Sequence, residues 1–385
     1  MSGKGGERRI RRVAIVARAD EWWSRRLLRG VLSHASDAGP WQVWVGPSGA
    51  EGSGMGLPSG WRGDGIIARV ETRESSDVLG RFGVPVVQVA DRPVAGICGP
   101  CVRTDESALA GVAADHFTDR GLRNIGVFGA GDEDGSAGCE DGFERVLAER
   151  GIVCQRLLAR ADGEEDGRAL LQWLRELPKP AGVFARRPED ARSVVDRCLE
   201  GGIIVPHEVA VLCGSDDEWF AHSCDPALSG VDSPVERIGS QAAALLDELM
   251  IGGVVGEATC ELPPRGVVER GSTDTLAVRD PQLVQVIEFI REHAFGPLTM
   301  DDILRAVPMA RRTLERRFAQ TFGRSPADEI RRVRIGRARK LLSETNLRMQ
   351  EIAESCGYAS YNYLDHVFKR STGMTPRDFR KQFKE

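Results

Sequence analysis

At 385 residues the chain exceeds the length at which single hydrophobic cores stop growing, so at least two domains are expected. Its 52 Lys+Arg against 57 Asp+Glu leave a net charge of −5, but residues 281–385 hold 20 basic and 13 acidic side chains, a net of +7 that leaves −12 for residues 1–280. A basic module joined to an acidic body points to a polyanionic partner for the module alone, and no stretch approaches the roughly 18 uninterrupted apolar residues of a membrane span.

The basic tail 1–11 is followed by an apolar run, Val13 to Ala17, too short for a signal-peptide core and broken at Arg18. A cytoplasmic protein with no membrane partner is therefore expected. Nine cysteines at uneven spacing fit reduced thiols better than a disulfide framework. One pair, Cys98-Gly99-Pro100-Cys101, has the spacing of thiol-disulfide oxidoreductases, whose attacking cysteine gains reactivity from a helix start. Here Val102-Arg103-Thr104-Asp105 reads as a short strand and turn, so two thiols in a loop are expected. No second C-x-x-C or H-x-x-x-H completes a four-ligand zinc site, and neither metal nor cofactor is expected.

Short apolar, β-branched runs recur from the N-terminus onward: VAIVA (13–17), WQVWVG (41–46), DGIIARV (64–70), VPVVQVA (84–90), NIGVFGA (124–130), AGVFAR (181–186) and EVAVLCG (208–214). Helix-length segments separate most of them, among them SRRLLRGVLSHASDAG and PVERIGSQAAALLDELM. Continuous apolar runs without alternation suit parallel strands covered on both faces, which predicts an α/β, doubly wound parallel-sheet architecture in two lobes.

Such sheets bind ligands beyond the carboxyl ends of their strands. The residues that follow the runs are Arg18, Asp20, Trp22 and Trp23, then Arg69, then Asp91 and Arg92, then Arg186 and Arg187, and finally Asp216 and Trp219. Carboxylates accept paired hydrogen bonds from sugar hydroxyls while indoles stack on the apolar ring face. The five arginines in this set suit an anionic carbohydrate, a sugar acid or sugar phosphate, because guanidinium forks match carboxylate and phosphate oxygens. Most of these residues could equally be ordinary solvated loop positions.

The segments VPVVQVADRP, CVRTDESALAGVAADHFTDRGLRNIGVFG, GIIVPHEVAVLCGSDDEWF and PPRGVVERGSTD resemble the ligand-binding domain of the lactose/galactose repressor family, itself similar to periplasmic sugar-binding proteins. The resemblance implies a ligand-sensing and dimerisation domain over 12–273, in which ligand closes a cleft between two lobes. This chain reads Ala185-Arg186-Arg187-Pro188 where that family has a polar acid pair, and Gly138, Cys139 and Glu140 where it has an arginine ahead of a Gly-Phe pair. Both departures shift the expected ligand away from a neutral sugar.

After a linker at 274–280 the last hundred residues contain a repeat. Thr313-Leu-Glu-Arg-Arg-Phe-Ala-Gln-Thr-Phe-Gly-Arg-Ser-Pro326 aligns with Tyr363-Leu-Asp-His-Val-Phe-Lys-Arg-Ser-Thr-Gly-Met-Thr-Pro376 at a constant offset of 50. In each copy Leu and Phe, four apart, share one helical face, the Gly ends the helix, and the Ser/Thr-Pro starts the next. LTMDDILRAV precedes the first copy and RMQEIAESC the second, which gives two helix-turn-helix units in an all-α domain. Opposite the Leu/Phe face lie Arg312, Glu315 and Arg316 in the first unit, and Tyr361, Asn362, Asp365 and His366 in the second. Arg clasps guanine and Asn clasps adenine through paired hydrogen bonds. Arg311, Arg317, Lys369 and Arg370 are placed to reach phosphates. Between the copies, PADEIRRVRIGRARKLLSET predicts an unbroken helix about 30 Å long at about 1.5 Å per residue, close to the roughly 34 Å of one duplex turn.

LERRFAQTFGRSP, RARKLLSET and IAESCGYASYNYLDHVFKRSTGMTPRDFR are similar to the DNA-binding domain of the AraC/XylS family, which would span 281–385. One departure is Val307-Pro308-Met309, where a Gly-aliphatic-Ser turn is usual. The resemblance implies a sequence-specific regulator that binds double-stranded promoter or operator DNA as a homodimer under small-molecule control, and that contacts RNA polymerase if it activates. Two alternatives remain: a constitutive DNA-binding regulator whose N-terminal domain only dimerises, and an enzyme acting on sugars or disulfides. Against the enzyme, the chain lacks a G-x-S-x-G elbow, a Walker loop and an H-E-x-x-H, and the Gly-rich stretch from Gly49 to Gly60 lacks the following helix and Lys of a phosphate cradle.

Overall fold

The N-terminal strands are apolar on both faces because both faces of the sheet are covered. In a computed structural model, which describes residues 10–17, 22–46, 57, 60–69, 73–89, 99–129, 139–159, 164–253, 259–275 and 280–384, Val13 and Ile15 enter one core while Ala14 and Val16 enter another. The elements in chain order are β1 (Arg11–Val16), α1 (Trp22–Ala38), β2 (Trp41–Val45), β3 (Gly65–Ala68), α2 (Arg73–Gly80), β4 (Val86–Gln88), β5 (Cys101–Thr104), α3 (Glu106–Asp119), β6 (Asn124–Gly129) and α4 (Cys139–Glu149). Next come β7 (Cys154–Leu158), α5 (Glu164–Glu176), β8 (Ala181–Ala185), α6 (Pro188–Glu200), β9 (Val209–Cys213), α7 (Glu218–His222), β10 (Ser229–Asp232), α8 (Val235–Met250), β11 (Thr259–Leu262) and β12 (Gly266–Val268). The helices α9 (Pro281–His293), α10 (Met300–Ala306), α11 (Arg311–Phe322), α12 (Pro326–Glu344), α13 (Met349–Ser355), α14 (Tyr361–Thr372) and α15 (Pro376–Lys384) follow.

The chain divides into two compact units, Met1–Ala108 with Ser233–Pro264, and Leu109–Asp232 with Arg265–Glu385. In the first, six described strands pair in the order β11-β5-β4-β3-β1-β2, all parallel. Helices α1 and α8 cover one face with Leu27, Val31, Ile238 and Leu246. They meet backbone to backbone: a Cβ on Gly30 would lie 1.7 Å from the Glu236 carbonyl oxygen, and one on Gly239 would lie 2.1 Å from that of Leu27. Any larger residue at either position would force the two helices apart.

The second unit repeats the winding, in the order β12-β10-β9-β8-β6-β7, parallel except for the antiparallel pair β10 and β12. In each sheet the strand order reverses direction at the strand that starts the unit's winding, which places a switch point between β1 and β3 in one and between β6 and β8 in the other. The seven apolar runs form strands, whereas β7, β10, β11 and β12 carry no comparable run.

The same unit contains the C-terminal helices, built on two small cores. Leu283, Val286, Ile287, Ile290, Ile303, Leu314, Phe318 and Phe322 form the first, and Ile335, Ala338, Leu342, Ile352, Leu364, Phe368 and Phe379 the second. The long helix α12 serves both, with Ile330 and Val333 against the first core and Ile335, Ala338 and Leu342 in the second. Its start is set by Pro326 in the first turn and by a reciprocal capping box between Ser325 and Asp328.

Candidate nucleic-acid interface and ligand-sensing residues

Each reading helix is held by the same anchors. Leu314 and Phe318 on α11, and Leu364 and Phe368 on α14, are all fully buried. Both helices end on a left-handed glycine, Gly323 at φ 72° and Gly373 at φ 80°, a conformation that costs other residues a steric clash at Cβ.

Packing on one face leaves the opposite face exposed. On α11, Arg311, Arg312 and Arg316 are exposed and Glu315 is half-buried; on α14, Asn362, His366 and Lys369 are exposed while Tyr361 and Asp365 are half-buried. The groups do not stand in isolation. Arg311 Nε donates to Glu315 Oε1 at 3.0 Å, and Tyr361 donates its hydroxyl proton to Asp365 Oδ1 at 3.1 Å. Burial and that hydrogen bond raise the Tyr361 pKa above its ordinary value, so the phenol stays a donor at neutral pH. The arrangement offers bidentate donors on α11 and a mixed donor and acceptor set on α14, the chemistry that base edges require. The linking helix α12 has 19 residues, about 28 Å at about 1.5 Å per residue.

Two details depart from the sequence reading. Arg317 does not face outward toward phosphates: its guanidinium pairs with Asp280 and donates to Gln282 Oε1 at 2.9 Å, tying α11 to the start of α9. Asp280 also caps α9, accepting from Gln282 N at 3.1 Å. The second departure is Tyr363, exposed at 58% beside Asn362, whose ring meets Tyr358 edge-on at 5.8 Å. It adds an apolar, hydrogen-bonding group to the α14 face that helical spacing alone assigned to neither face.

The turn between α13 and α14 uses Gly357 at φ 76°, where a Cβ would lie 2.8 Å from the Ala294 carbonyl oxygen. The first unit turns differently. Val307 stays extended at φ −124°, and no described non-glycine residue has positive φ, so Val307-Pro308-Met309 reaches α11 without a left-handed residue.

Of the ligand-sensing candidates, Arg18, Asp20, Asp91 and Arg92 lie outside the described residues, as does Cys98. In the first unit Trp22 and Trp23 open α1, and Arg69 follows β3 directly, with its guanidinium 5.0 Å from the Trp23 ring centroid. In the second unit Arg186 follows β8, so Arg69 and Arg186 occupy equivalent places at the two switch points. Arg187 is engaged bidentately by Asp190 at 2.8 Å. Asp216 Oδ1 accepts from Arg270 Nη1 at 2.7 Å, and Trp219 on α7 is 81% exposed. Cys101 is buried within β5. Among the described residues no group of three or more His, Cys, Asp or Glu is placed to hold a metal, and no helix is long and apolar enough to cross a membrane.

Comparison with known proteins bears on both regions. Residues 114–273 match the periplasmic binding protein-like domain family and residues 303–382 the helix-turn-helix domain family. Along 96% of its length the chain is 29% identical to the xylose operon regulatory protein of Escherichia coli strain K12, covering 96% of that protein. The chain thus joins a periplasmic-binding-protein-like domain to a helix-turn-helix domain, the make-up of a transcription regulator. Its fold agrees with a solved structure titled xylose-binding transcription activator xylR at a TM-score of 0.63 and 26% identity, over 98% of this chain and 100% of that one. Over 102 residues, 26% of this chain and 31% of that protein, the chain is also 34% identical to the HTH-type transcriptional regulator ArgR of Pseudomonas aeruginosa. The relatives are transcription regulators, not enzymes, so neither sugar-acting nor thiol-disulfide catalysis finds support among them.

Proposed function

We propose that this regulator reads operator DNA with α11 and α14 in successive major grooves, under the control of a carbohydrate effector bound by its α/β region. The observation that carries the reading is the duplicated frame, in which buried Leu and Phe present an exposed polar face on each helix. Arg312, Arg316 and Asn362 contact base edges together with Glu315, Tyr361, Asp365 and His366, while Arg311 and Lys369 hold phosphates. The regulator acts in the cytoplasm as a homodimer formed through residues 12–273, with 281–385 as the DNA-binding domain. If it activates, it contacts RNA polymerase.

The effector is a sugar, with an anionic sugar favoured over a neutral one by the arginines at both switch points. Arg69 and Arg186 provide the charge, Trp22, Trp23 and Trp219 the apolar contact, and Asp216 the hydroxyl acceptor; Arg18, Asp20, Asp91 and Arg92 belong to the same set. The relative titled xylose-binding makes D-xylose the neutral comparator.

Genome-wide binding-site mapping with the full chain, followed by footprinting of the recovered fragments, tests the DNA reading; binding without preference over random duplex overturns it. Thermal-shift measurements with D-xylose, uronates, aldonates and sugar phosphates test the effector. A shift with an anion supports the charged-ligand reading, a shift with D-xylose alone overturns that part, and no shift with any of them favours the constitutive alternative.

A further inference from the structure

The end of α3 meets the corner between α11 and α12 through buried charges, all within the second compact unit. Asp119 closes α3 and is 8% exposed; its Oδ1 accepts from Arg324 Nη1 at 2.7 Å and its Oδ2 from Arg332 Nη1 at 2.6 Å. The same two guanidinium groups are held from their own domain by Glu329, which is fully buried and accepts from Arg324 Nε at 2.6 Å and from Arg332 Nη2 at 2.8 Å. Two acids and two arginines thus close a ring, with one acid from the periplasmic-binding-protein-like domain and the other three members from the helix-turn-helix domain.

Neighbouring contacts extend the seam. Arg123 Nη2 donates to the Thr321 carbonyl at the end of α11, 3.2 Å away. Arg120 pairs with Glu269 at 3.0 Å and donates to the Thr273 carbonyl at 2.8 Å, fastening α3 to the chain that leads toward α9. The seam does not cover the reading face. Arg312 and Arg316 remain exposed on α11 while its far end, at Thr321 to Arg324, is engaged. A contact that masked DNA-binding groups would inhibit; this one holds them out in a set orientation.

We infer that Asp119 is a latch that fixes the first helix-turn-helix unit to the periplasmic-binding-protein-like domain, so that any movement of that domain is delivered to α11 and, along the stiff α12, to α14. The inference rests on α11 and α14 reading DNA only for its functional consequence. The latch itself is a property of the DNA-free chain. Ion pairs are suited to the task because they are directional: removing the Asp119 charge releases Nη1 of both arginines, while Glu329 keeps its own pairs with Arg324 Nε and Arg332 Nη2 inside the helix-turn-helix domain.

The test is hydrogen exchange on the full-length chain and on Asp119→Asn, a substitution of nearly equal size. Without DNA, Asp119→Asn is expected to raise exchange roughly tenfold at 321–332 and at 116–123 while leaving the α14 core at 364–368 unchanged. With a duplex recovered by the full chain in binding-site mapping, protection gained on α11 should extend to the end of α3 in the parent and stop at α11 in the variant. Unchanged exchange at 321–332 in the DNA-free variant overturns the latch, and DNA-induced protection that still reaches α3 overturns the coupling. If Asp119→Asn lowers protection everywhere, Arg332→Gln approaches the seam from the other side and must release the same two segments. A parent chain that selects no duplex would fail the DNA reading while the DNA-free arm still decides the latch.

Discussion

The two reading helices were built on one frame and put to it differently. α11 and α14 share their Leu and Phe anchors, their glycine stop and the following Ser/Thr-Pro. Their outward groups differ, with arginines and one glutamate on α11 against Tyr, Asn, Asp and His on α14. Their attachments differ as well. α11 is tied at its middle to Asp280 through Arg317 and at its end to the α/β domain through Arg123, whereas α14 packs within its own core against α13, α12 and α15. Burial has to be satisfied identically in both copies, since a Phe needs the same cavity wherever it lies. The exposed face has no such requirement, so its residues are free to differ between the two copies.

The largest effect should come from breaking what the copies share. Phe318→Ala and Phe368→Ala each remove a fully buried ring and should cost about 3–5 kcal/mol in chemical denaturation, with loss of DNA binding. A substantially smaller cost at one of them would show that the frame is not equivalent in the two units. What they do not share comes next. Arg316→Ala and Asn362→Ala should each relax base preference at one position, a different one for each variant, at about 1–3 kcal/mol in selection from randomised duplexes. A uniform loss across all sequences would reassign that side chain to a phosphate.

A smaller effect should separate the attached helix from the free one by pH. His116, in the last turn of α3, has its pKa lowered well below 6.5 by burial and then by Arg120, Arg332 and Arg291. The folded protein therefore refuses a proton that the unfolded chain accepts, so this stability is intact above pH 6.5 and is lost as pH falls below it. Between pH 7.5 and 5.5 the loss should reach about 1 kcal/mol in urea denaturation, and His116→Gln should flatten the profile. A slope unchanged by that substitution would place the titration elsewhere. The smallest effect belongs to Lys369→Ala on α14, which should weaken all duplexes alike and lower the salt-dependence slope by about 1. Altered base preference in that variant would move Lys369 from the phosphate set to the reading set.

The strands and reading helices were legible because their signal is local. Val13 to Ala17 and Ala181 to Ala185 are apolar without interruption, which only a sheet covered on both faces explains, and the offset of 50 between Leu314 and Leu364 exposes the duplication directly. Arg317 was not legible: it lies among outward arginines in the sequence, and nothing within one helical turn predicts that Asp280 would claim it. Tyr363 was not legible either: it is adjacent to Leu364 in the sequence rather than opposite it on the helix, and its ring leans on Tyr358.

From residue order alone follow the two architectures, the anchors of each helix and the identity of the groups on each outward face, since these depend on periodicity, which neighbours three, four or two positions apart already determine. Tertiary structure decided which charges are spent on holding the molecule together. Asp119 meets Arg324 and Arg332 across some two hundred intervening residues, and an ion pair between residues so far apart leaves no pattern in the chain, because its energy depends on separation in space and on exclusion of water rather than on spacing along the backbone.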